Sequence, residues 1–170
     1  MPKAVRTFVR YVEIVNRTVG RFAMYLIFVM MGVLLFSSIS RGVFDVSHIW
    51  VVEMAQMTMA AYYILGGGYS MQLDSHVRMD LLYGRWSKKT RAVVDMVTGC
   101  CLIFYVTILL YGGISSTQYA IEYDQKNYSS WAPPMAPIKL VMTFGIALML
   151  LQVIATFFKD LEIAKEESRA

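Results

Sequence analysis

The run FAMYLIFVMMGVLLFSSIS, residues 22–40, lies between Arg21 and Arg41 and holds 19 residues without one charge. Coiled as a helix it would extend about 28 Å, close to the roughly 30 Å of hydrocarbon that a membrane span must cross. A soluble helix would show a polar stripe recurring every turn, and a barrel strand would alternate residue by residue. This run does neither. Three more charge-free windows follow: 20 residues at 54–73, 26 at 96–121 and 19 at 140–158. Taken outward to their natural boundaries they predict spans at about 22–40, 51–73, 92–121 and 139–158. The third is long enough to require tilt or protrusion. The expected fold class is an all-α integral membrane protein with four transmembrane helices, a single membrane domain over residues 1–170 ending in a tail at 159–170.

Composition agrees. Hydrophobic residues make up 57% of the 170-residue chain and charged ones 16%, where soluble domains run near 25% charged; mean hydropathy is +0.50. A formal net charge of +4 would suit nucleic acid if the bases formed one stripe, but they gather at segment ends instead, so no nucleic-acid partner is expected. Residues 1–21 hold five Lys or Arg, 74–95 hold five, and the tail holds three, which together are thirteen of sixteen. The positive-inside rule then places both termini and the middle loop in the cytoplasm, an N-in/C-in arrangement. A cleaved signal peptide is not expected, because the first apolar run is span-length and no A-x-A site follows it.

Ahead of the first span, Val5, Phe8, Val9, Val12, Val15 and Val19 recur at helical spacing while Lys3, Arg6, Arg10, Glu13 and Arg17 occupy another face. This predicts an N-terminal amphipathic interfacial helix over 1–21, lying on anionic lipid at the cytoplasmic surface. A plain extension of the first span is the alternative. Trp50, Tyr119, Tyr123, Tyr128 and Trp131 gather near the outer boundary and Tyr83 and Trp86 near the inner one, as interfacial belts do.

The chemistry-bearing inventory is thin. The spans lack the buried charges that pumps and membrane enzymes keep, and the two histidines, His48 and His76, fall outside the windows, so paired haem ligation is disfavoured. No nucleophile–base order, metal-spaced cluster or phosphate loop occurs in its required context. The expectation is no enzyme, no catalytic residue, no cofactor and no metal. Cys100 and Cys101, together with Tyr62, Tyr63, Tyr105 and Tyr111, are expected to be packing residues. Gly66-Gly67-Gly68 lies within the second span, where small residues let helices approach.

The polar residues that remain cluster at turns. Arg41 closes the first span, Trp50 precedes the second, and Glu53 stands one turn later on the same face, so Arg41 and Glu53 could pair at the outer boundary. At the other end, His76-Val77-Arg78-Met79-Asp80 and Leu81-Leu82-Tyr83 read as a packed interfacial turn.

With Arg41, then Trp50-Val51-Val52-Glu53, then Gly67 and Tyr69, then His76-Val77-Arg78-Met79-Asp80 with Leu82 and Tyr83, the chain resembles the DctQ-like small membrane subunit of tripartite ATP-independent periplasmic (TRAP) transporters. The likeness runs from about residue 20 to 160, and Ser130-Trp131-Ala132-Pro133-Pro134 with Lys139 and Gln152 resembles one branch of the family. Val52 and Gln56 depart from it: many members carry an acidic residue at the first and a basic one at the second.

The resemblance implies a bacterial inner-membrane importer. A periplasmic substrate-binding protein, DctP-like, would deliver an organic acid to a large DctM-like permease subunit that carries the substrate and sodium sites and moves as an elevator. The small subunit would be its stator, in contact with membrane lipids. Arg41, Trp50, Glu53, Gly67, Tyr69, Arg78 and Asp80 are the residues expected to hold the bundle or the partner interface. A membrane anchor or assembly subunit of another complex is the competing reading.

Overall fold

A computed structural model describes residues 3–73 and 88–167 as four helices: α1 Lys3–Phe44, α2 Trp50–Gln72, α3 Lys88–Glu122 and α4 Ala136–Glu167. Arg78 and Asp80, with the rest of the expected inner turn and Tyr83 and Trp86, lie outside the described residues. Among the described residues there is no strand, only an isolated Lys126–Pro134 bridge.

Among the described residues three helices are long and apolar enough to cross a membrane, over Val5–Phe44, Val97–Glu122 and Ala136–Lys159. The remaining expected span, 51–73, falls on the 23-residue α2, about 35 Å long, which is not among those three; Glu53, Gln56 and Gln72 lie on it. Helix α2 packs against both α1 and α4.

The N-terminal amphipathic segment corrects its expectation. It is no separate surface helix; α1 runs unbroken for 42 residues, about 63 Å, and an unbroken helix cannot both lie flat and cross. The apolar face at Val9 and Val12 is buried against Ala155 of α4 rather than turned to lipid, with Val5 packed beside it. The plain-extension alternative is the one the structure adopts.

Helix α4 is the hub, packing on α1, α2 and α3, whereas α3 packs chiefly on α4. Of the most apolar stretch of each spanning helix, 6% is buried in α1 and in α3 but 28% in α4. Gly145 makes the α2–α4 approach possible: a Cβ there would collide with the Ile64 side chain and sit 3.2 Å from the Ile64 backbone carbonyl. Gly20 does the same for α1 against the side chain of Tyr69 on α2.

Because α3 uses only one face, several expected packing residues turn outward. Cys100 and Cys101 are exposed, as are Tyr63, Tyr105 and Tyr111, while Tyr62 is half-buried. Phe22, Tyr25, Phe28 and Leu35 of α1 and Phe104 and Ile108 of α3 are exposed as well. The loop after α3 folds back on itself: Asn127 N–H donates to Pro133 O at 3.0 Å and Met135 N–H to Gln125 O at 2.8 Å. Lys139 Nζ at the start of α4 then pins the loop by donating to Gln125 Oε1 at 2.7 Å.

Candidate functional site

Helix α2 carries buried polar chemistry near both ends. Near its C-terminal end, Asn16 of α1, 1% exposed, meets Gln152 of α4, 2% exposed. Asn16 Nδ2 donates to Gln152 Oε1 at 3.0 Å and lies 3.3 Å from Leu148 O. Gly68 of α2 makes room for this amide, since a Cβ there would stand 2.5 Å from Asn16 Oδ1. Gln72 Nε2 donates to Glu13 O at 3.3 Å while its Oε1 finds no partner. Lys159 Nζ pairs with Glu13 Oε1 nearby. Three helices are thereby tied at one level.

Tyr69 belongs to this junction through Gly20. Gly67, by contrast, makes only ordinary contact, a Cβ there meeting Met149 Sδ at 3.9 Å, and Gly66 faces open space. The tight glycine of the triplet is Gly68. Asn16 had a sequence signal: it falls on the stripe Val9, Val12, Asn16, Val19, so a polar residue stands where the apolar face predicts a buried one.

The N-terminal end is built differently. Trp50 opens α2 in a ring cluster, with Phe36 at 6.4 Å and His48 at 6.0 Å between centroids, and Phe36 stacks on His48 at 5.3 Å. Arg41 stays exposed on α1, its Nη2 donating to Ser47 Oγ at 3.3 Å. It forms no ion pair with Glu53, which corrects the expected pairing: Glu53 faces the opposite side of α2, toward α3 and α4. Glu53 is 8% exposed, and its Oε2 is fully buried without a hydrogen-bond partner.

That carboxylate lines a cleft of about 460 Å³. One wall is α2 with Glu53, Gln56, Met57 and Ala60, the other α3 with Gly113, Ser116 and Thr117, and α4 floors it with Ile138, Met142, Thr143 and Ile146. The spacings are those of a single stripe on each helix. The hydroxyls are already engaged: Thr117 Oγ1 lies 2.8 Å from Thr143 Oγ1 and donates to Lys139 O at 3.2 Å. Lys139 also borders the cleft, but its ammonium is held by Gln125 Oε1 and by Ser116 O at 3.3 Å.

A second cleft of about 410 Å³, between α1 and α4 at Phe8, Tyr11, Val15 and Leu151, is apolar. Among the described residues no three of His, Cys, Asp and Glu converge. What these sites can do is bind: a carboxylate recessed among small side chains, an amide lock, and wide apolar flanks.

A helical membrane protein whose built sites are surfaces for packing is the class these features define. The family model for tripartite ATP-independent periplasmic transporters, DctQ component, matches residues 30–162. The chain belongs to that family, as the motif from Trp50 to Asp80 had indicated, and it is thereby a component of a tripartite transporter, the small permease subunit. A comparison with curated proteins gives no match.

Proposed function

We propose that this chain is the stator of a sodium-coupled, binding-protein-dependent importer of organic acids in the bacterial inner membrane. Four helices cross with both termini in the cytoplasm, α2 crossing inside the bundle. The large DctM-like subunit carries the substrate and sodium and slides against a fixed scaffold, which this chain enlarges; a DctP-like protein delivers substrate from the periplasm. The observation that supports the scaffold role is the wide exposed apolar surface of α1 and α3 on a bundle locked from within by Asn16 and Gln152. Such a body offers area to a partner and to lipid while resisting internal shear.

The test is sodium-gradient-driven uptake in proteoliposomes holding the large subunit and binding protein, with and without this chain. Uptake that needs all three components is expected. Equal uptake without this chain would overturn the stator reading and bring the assembly-subunit reading forward.

A further inference from the structure

We infer that the cleft between α2 and α3 is the seat for one transmembrane helix of the large permease subunit, and that this helix presents a basic side chain to Glu53. The inference rests on the small-subunit reading above and names the contact through which it works.

Three features of the cleft select that occupant. A carboxylate 8% exposed with an unpartnered Oε2 is costly to bury, and a cation is what offsets that cost. Among the described residues no base supplies it: Arg41 turns away to Ser47, and the Lys139 ammonium is held by Gln125 and Ser116. The two walls carry the short side chains Ala60 and Ser116, of the kind that lets a helix approach closely in lipid. From Glu53 to Ala60 the groove follows α2 for about 10 Å, a depth that suits the end of a membrane helix.

Co-purification of the two subunits from native lipid reads the contact directly. Glu53→Gln should reduce recovery of the complex at least tenfold, and Ala60→Trp, which fills the groove without touching the charge, should do the same. Both isolated variants should keep the helicity of the parent, and Glu53→Gln should hold or raise its thermal unfolding midpoint, because no internal partner is lost and the cost of an unpaired charge is relieved. A cysteine at Ser116 should cross-link to a single helix of the large subunit beside its basic residue.

Recovery unchanged in Glu53→Gln would overturn the inference, since glutamine mimics a protonated acid but not a carboxylate. A lowered midpoint in isolated Glu53→Gln with normal recovery would also overturn it, by assigning the carboxylate an internal role with Lys139. Should the parent chain itself fail to recover the large subunit, the small-subunit reading falls instead.

Discussion

Glu53 and the Asn16–Gln152 pair lie toward opposite ends of α2, about 22 Å apart along its axis if Gly68 marks the second, and both are nearly excluded from solvent. The amides answer each other: donor meets acceptor at 3.0 Å, and a glycine on the third helix makes the space. The carboxylate's Oε2 finds no hydrogen-bond partner among the described residues. A buried polar pair that is satisfied specifies one arrangement of the helices around it. At that end the unpartnered atom is a neutral amide oxygen, Gln72 Oε1, whereas at the other it belongs to a carboxylate, the group whose burial calls for a counter-charge.

The comparison can be broken or sharpened by substitution. The largest effect on the isolated chain is expected from Gly145→Val, because the new branch meets the Ile64 backbone, which no rotamer change relieves; a loss of about 3 kcal/mol is expected. Reversible unfolding in mild detergent would show it, and an unchanged midpoint would mean that α2 and α4 are not in close contact. Next come Asn16→Leu and Gln152→Met singly, each stranding a buried amide at about 1–2 kcal/mol. Made together they remove both halves of the bond, and the double variant should recover most of that loss. An additive double-mutant cycle would show that the amides do not act as a pair.

Glu13→Gln should cost at most about 0.5 kcal/mol, since the pair with Lys159 is partly solvated and salt-screened. Its effect should shrink further in 1 M salt, a trend that fluorescence-detected melting can follow. Glu53→Gln is the one change expected not to destabilise the isolated chain: its midpoint should hold or rise, because an unpaired carboxylate has no bond to lose and a burial cost to relieve. A clear destabilisation there would erase the contrast between the two ends of α2.

Much of the fold was legible in residue order. Charge-free windows of span length mark all four helices, because lipid cannot satisfy a backbone that is not hydrogen-bonded within itself. The resemblance to the DctQ component was legible too, and the family model matches residues 30–162. The candidate site was legible in part: Glu53 was singled out, but with Arg41 as its partner, since proximity in a short connection says nothing about which side of a helix faces which neighbour. Asn16 went unnoticed among charged residues although it sat on an apolar stripe. Within the glycine triplet the close approach falls at Gly68, which residue order alone does not single out.

The sequence by itself determined that this chain is helical, of membrane composition and a member of the DctQ family, because those properties depend on length, hydropathy and local motifs. Only the tertiary structure decided that the basic N-terminal segment continues α1 and buries its valines on α4. It likewise decided that α4 is the hub, that the cysteines and several tyrosines face outward, and that Glu53 is left without a partner. Those outcomes depend on the rotation of each helix about its axis. In lipid, where both faces of a span are equally apolar, helix rotation is set by a few small and polar contacts whose partners lie more than a hundred residues away, as Asn16 and Gln152 do.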